Sequence, residues 1–114
     1  MTYAHRTVIH DADSHLMEGL GWLRDHADAA TRELLPDLTK VLDKGGAAAD
    51  RAIRMGEERI GDPARTHELE QDVIASAKGW LALGAMDTGE RTRAMDLLGF
   101  SSQLVFSTFS LGLF

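Results

Sequence analysis

The chain contains no cysteine, which removes disulfides, thiolate zinc sites and thiol nucleophiles from consideration. Basic residues are the minority, 12 Lys and Arg against 18 Asp and Glu, for a formal charge of −6. No run of them occurs. That balance argues against nucleic acid or an anionic membrane as partner, since both need clustered cations to displace counterions. Long apolar runs are also missing: nothing approaches the roughly 20 residues a membrane helix needs. His5, Arg6, His10 and Asp11 interrupt any N-terminal stretch that would serve as a signal peptide,. A cytoplasmic protein is the expectation. Glycine-rich phosphate loops, Ser-x-x-Lys pairs and nucleophile elbows are absent as well.

What is present suits one domain: 114 residues, 44% apolar and 26% charged, enough for a genuine core. Its most informative segment is Asp11-Ala12-Asp13-Ser14-His15, at the end of the β-like run Thr7-Val8-Ile9-His10. Alternate side chains of a strand point the same way, so Asp11, Asp13 and His15 are expected on one face. Asp13 and His15 are then about 6.6 Å apart along the strand, close enough to converge on an ion beyond its end. Zn²⁺ or Mn²⁺ accepts such a mixture of oxygen and nitrogen donors. The plainer alternative makes Asp13 a turn or helix cap and His15 a polar loop residue.

Beyond the motif, the pattern becomes helical. Residues 22–35 carry the apolar stripe Leu23, Ala27, Ala30 and Leu34, and Pro36 ends the segment,. A short helix capped by Asp37, with Leu38, Val41 and Leu42 facing inward, is expected before the Gly45-Gly46 break. Residues 48–60 repeat the stripe with Ala49, Ile53, Gly56 and Ile60. Pro63 suits the first position of the next helix. The longest helix is expected over residues 65–83, carrying Leu69, Val73 and Ala77 with Trp80 or Leu81. Asp87 and Glu90 resemble a capping box opening a helix that Gly99 stops. Gln103-Leu104-Val105-Phe106 suits a buried parallel strand, and no charge occurs from Gly99 to Phe114. The apolar ending Leu111-Gly112-Leu113-Phe114 is expected to be covered by further protein. The order strand, helices, strand predicts a parallel pair with a right-handed crossover. It divides one incomplete domain over 1–114 into strand one with the motif (7–15), a helical insertion (20–98) and strand two (102–108).

The stretch Val8-Ile9-His10-Asp11-Ala12-Asp13-Ser14-His15-Leu16-Met17-Glu18 resembles the first strand of the amidohydrolase superfamily. The likeness is to the branch of metal-dependent hydrolases and non-oxidative decarboxylases of aromatic acids. Arg93-Ala94-Met95-Asp96-Leu97-Leu98-Gly99-Phe100, followed by Gln103-Leu104-Val105-Phe106, resembles the approach to that family's second strand. Ser107-Thr108 stands where a Pro-Thr pair is more usual. The resemblance covers residues 8–24 and 78–110, and is vague between them.

It implies the N-terminal part of a (β/α)₈ barrel, of which two parallel strands and a helix-rich insertion are present. Asp13 and His15 match the two metal ligands of strand one, although many relatives carry His or Glu where Asp13 stands. Relatives also take a histidine from a middle strand and an aspartate from the last. Neither has a counterpart here, because His26 and His67 fall in helical segments as surface residues.

A whole barrel needs about 250 residues, so the chain is expected to be an N-terminal fragment, inactive alone, of an enzyme acting on a small-molecule substrate. Hydrolysis of a C–N or C–O bond and decarboxylation both remain open. The alternative is a non-catalytic, α-rich interaction protein or truncated remnant. It would self-associate, or pair with a completing chain, through the exposed C-terminal strand. Asp11 is read as a strand-end cap, Glu18 as a solvated carboxylate, and Trp22 and Trp80 as packing residues.

Overall fold

A computed structural model describes residues 8–36 and 46–108. Strand β1 (Ile9–Leu16) and strand β2 (Phe100–Ser107) pair in parallel as a two-stranded sheet. Between them run α1 (Trp22–His26), α2 (Ala29–Leu34), α3 (Gly46–Ile60), α4 (Pro63–Gln71), a 3₁₀ turn (Gly79–Leu81) and α5 (Thr88–Leu98). The architecture is therefore α/β, a parallel pair joined through helices. Among the described residues no helix is long and apolar enough to cross a membrane. Thr7, the short helix expected after Asp37, Gly45 and the closing 111–114 run lie outside the described residues, while Gly46 itself opens α3.

Several local signals act as their chemistry requires. Pro63 is the first residue of α4, where its missing N–H costs nothing, and the Asp62 carboxylate accepts from Ala64 and Arg65 N–H at 3.0 and 3.3 Å,. Asp87 caps α5 by accepting from Glu90 N–H at 2.8 Å. Gly99 ends α5 in the left-handed region at φ 81°, donating to the Met95 and Asp96 carbonyls,.

Two longer helical expectations are corrected. Residues 22–35 form two short helices, not one, because Ala27 is extended and the Asp28 carboxylate accepts from Thr31 N–H at 2.7 Å to cap α2 afresh. The proposed stripe is not a core face, since Leu34 is 84% exposed. The 65–83 segment stops being helical at Gln71: Asp72 accepts from Ala75 N–H, and Gly79 takes φ 63°. Leu69 and Leu83 are buried all the same, although Ile74 is 45% exposed. Val73 and Ala77 pack against the cluster of Leu69, Leu83 and Ala94, with Leu97 beside them. Burial survived where periodicity did not, because turns can deliver side chains to a core as well as helices do.

On α3 the buried positions are Ile53, Gly56 and Arg59, spaced i, i+3, i+6 along one face. Gly56 lets the helix approach the 3₁₀ turn, where a Cβ would stand 2.8 Å from the Trp80 carbonyl oxygen. Arg59 is buried because it pairs with Glu90 of α5 and donates to the Ala82 carbonyl. Glu90 therefore does not complete the expected capping box. Its backbone N–H meets Asp87 while its carboxylate turns to Arg59.

β2 pairs as expected but is not buried within the described structure. Leu104, Val105 and Phe106 are 57%, 42% and 37% exposed.

Candidate functional site

The register of the parallel pair decides which β1 side chains share a face. Asp11 aligns with Gln103 and Ser14 with Val105, so β1 spends three steps where β2 spends two. The extra residue falls at Ala12–Asp13 as a β-bulge, which advances the alternation by one. Asp11 and Ser14 consequently both turn toward α5. Gln103 Nε2 donates to Asp11 Oδ2 at 3.1 Å, and Arg91 Nη1 donates to Ser14 Oγ at 2.9 Å. The expectation that Asp11 shares a face with Asp13 and His15 is thus corrected. Asp11 Oδ1 instead accepts the Asp13 backbone N–H at 3.1 Å, holding the bulge closed.

Asp13 and His15 lie on the opposite, open face, two residues apart and beyond the bulge. His15 Nε2 stands 3.3 Å from Asp13 Oδ1, with the side chains 46% and 86% exposed respectively. The Phe106 ring lies beside the imidazole at a centroid distance of 6.0 Å, in register on β2. Two donors each about 2.1 Å from a tetrahedral ion are separated by about 3.4 Å. The pair thus presents one oxygen and one nitrogen at a spacing that fits one divalent ion. Binding would replace the Nε2 proton and leave the imidazole proton on Nδ1. Among the described residues no group of three or more His, Cys, Asp or Glu is placed to hold a metal, so the pair supplies two vertices only. His26 and His67 are exposed on α1 and α4, as expected.

Glu18 is the second correction. It is 2% exposed rather than solvated, and its Oε2 accepts the Thr108 backbone N–H at 3.0 Å. Thr108 Oγ donates in turn to the Leu16 carbonyl at 2.8 Å. These contacts tie together the carboxyl ends of both strands, where the Asp13–His15 pair is displayed. Trp22 and Trp80 are half-buried, and Trp22 lies 5.7 Å from the His26 ring.

Sequence reasoning missed Arg91. From α5 its Nη1 reaches Ser14 Oγ and Gln103 Oε1, the latter at 3.2 Å, while Nη2 donates to the His15 carbonyl at 2.7 Å. Burial lowers its pKa from the usual arginine value, and the Asp11 charge partly restores it. It lines a cavity of about 210 Å³ under the sheet with Ser14, Met17, Leu83, Ala85 and Gln103. The only available sequence signal was its place one helical turn before Met95, inside the 78–110 span of the family resemblance but two residues before the stretch quoted for it.

No family model, curated protein or solved structure matches the chain.

Proposed function

We propose that this chain is the N-terminal portion of a metal-dependent hydrolase or decarboxylase of amidohydrolase type, with Asp13 and His15 as the two ligands given by its first strand. One observation carries the reading. His15 Nε2 and Asp13 Oδ1 converge to 3.3 Å on the open face of β1, at the carboxyl end of a parallel pair. Parallel strands offer that end to ligands in barrel and open α/β folds alike. The sequence resemblance around residues 8–24 and 78–110 supports the same assignment.

In this reading β1 and β2 are the first two strands of a (β/α)₈ barrel, and the helices between them are the insertion. Asp13 and His15 hold a zinc or manganese ion, while Glu18, through Thr108, keeps the two strand ends level beneath it. When bound, a divalent ion supplies Lewis-acid polarisation and brings the pKa of a coordinated water to about 7. Two protein ligands fall short of the three used at catalytic zinc sites. The remaining ligands and the base would come from other strands, leaving these 114 residues inactive by themselves.

A second reading is favoured by the exposure of Leu104, Val105 and Phe106. In it the chain is a non-catalytic, α-rich interaction protein or remnant that associates through β2.

Calorimetric titration with Zn²⁺ and Mn²⁺ tests the first reading. One ion per chain is expected, with binding abolished in Asp13→Ala and in His15→Ala. No saturable uptake by the unaltered chain, or uptake that survives both substitutions, overturns the metal assignment. Activity of the complete enzyme should likewise disappear in either variant.

A further inference from the structure

A bulge in a two-stranded ribbon needs something to hold it, since the extra residue lacks a cross-strand partner. Arg91 and its contacts provide that hold. The planar guanidinium spans both strands at once, donating to Ser14 and His15 on β1 and to Gln103 on β2. Gln103 then donates to Asp11, whose other carboxylate oxygen accepts the Asp13 N–H. The chain of bonds therefore begins at the backbone of one member of the open-face pair and ends at the backbone of the other. Arg91 is itself seated by close backbone approach, because a Cβ on Gly84 would stand 2.6 Å from Arg91 Cα. Its Nε is buried with no partner among the described residues, so the fork is committed to the strand side.

We propose that Arg91 is a positioning residue for the Asp13–His15 pair: through the His15 carbonyl, Ser14, Gln103 and Asp11 it fixes the bulge that sets the two donors 3.3 Å apart. Its importance to metal binding rests on the reading above; its control of the pair does not. Arg91 never meets the ion. It acts as outer partners of metal ligands do, by orienting the groups that bind. Lysine cannot replace it, since an ammonium has no planar fork to serve three acceptors fixed on two strands.

The experiment uses the full 114-residue chain, its Arg91→Met and Arg91→Lys variants, and Leu97→Ala as a control that weakens the same helix without touching the network. The first readout is the set of Asp13, Ser14 and His15 backbone amide signals and the His15 ring signals, by NMR without metal. The second is Zn²⁺ affinity by calorimetry. Arg91→Met should move all four sets of signals and weaken Zn²⁺ about tenfold to hundredfold. Arg91→Lys should lie between Arg91→Met and the unaltered chain. Leu97→Ala should lower the melting temperature and leave both readouts in place. If Arg91→Met does not fold, Arg91→Lys carries the test. Unmoved signals in the folded arginine variants, or equal movement in Leu97→Ala, overturn the proposal. If the unaltered chain takes up no Zn²⁺ while the arginine variants still move the signals, the metal assignment fails and the positioning role stands.

Discussion

Arg59 and Glu90 form a two-pronged ion pair between α3 and α5, with Nη1 2.5 Å from Oε1 and Nη2 2.8 Å from Oε2. The side chains are only 3% and 12% exposed. Glu90 Oε2 also accepts Gly84 N–H at 3.2 Å, and Arg59 donates to the Ala82 carbonyl. One carboxylate thereby organises the loop that leads into α5 and seats Arg91.

Removing one member of a buried pair leaves the other charge uncompensated, at a cost of about 3–5 kcal/mol. Arg59→Ala and Glu90→Ala should each destabilise the chain by an amount in that range. The double variant Arg59→Met/Glu90→Leu should be less unstable than either single change, because no charge is then stranded. Urea unfolding of the three variants measures both the losses and the coupling between them.

Two left-handed glycines are expected to differ. At Gly79, with φ 63°, an added Cβ meets nothing within 4 Å, so Gly79→Ala should cost about 1–2 kcal/mol for backbone conformation alone. At Gly84, with φ 75°, the same Cβ would stand 2.6 Å from Arg91 Cα and 2.9 Å from its nitrogen. Gly84→Ala should exceed Gly79→Ala by at least about 1 kcal/mol, since overpacking adds to the conformational cost. Thermal unfolding of the two variants checks the order.

Asp28 carries a pH dependence of definite sign. Accepting the Thr31 backbone N–H pulls its carboxyl below the usual 3.8. A group with a lowered folded pKa contributes stability above its unfolded value and loses it as pH falls through the folded one. The cap on α2 should therefore be intact at neutral pH and released only below 3.8. NMR titration should show the Thr31 amide moving with the Asp28 carboxyl, at a midpoint below that value. In Asp28→Asn the amide should not titrate there. A midpoint at or above 3.8 would contradict the cap.

Much of the local structure was legible because its causes are local. Pro63, Asp87 and Gly99 each act on backbone groups within one turn, so the sequence marked those three positions correctly, although the helix expected from residue 65 begins at Pro63 with Asp62 as its cap. The break after His26 was missed although Asp28 lay in plain view as a capping residue, because an apolar stripe was allowed to outweigh it. Asp72 ended α4 for the same kind of reason. Glu18 was misread because charged residues usually stay in water, and the burial of Arg59 had no local signal for the same reason. Each is buried by a partner distant in sequence: Glu90 lies 31 residues from Arg59, and Thr108 lies 90 from Glu18.

By itself the sequence determined the order of the elements, the two strands that pair, and the i, i+2 spacing that puts Asp13 beside His15. Those follow from hydrophobic pattern, turn chemistry and the two-residue repeat of extended backbone. Tertiary structure alone decided that Asp11 leaves their face and that Arg91 stands behind it. The phase of a strand at a bulge is set by what its partner strand offers. Here that partner is Gln103, 92 residues away, held by an arginine from a helix whose approach depends on Gly84.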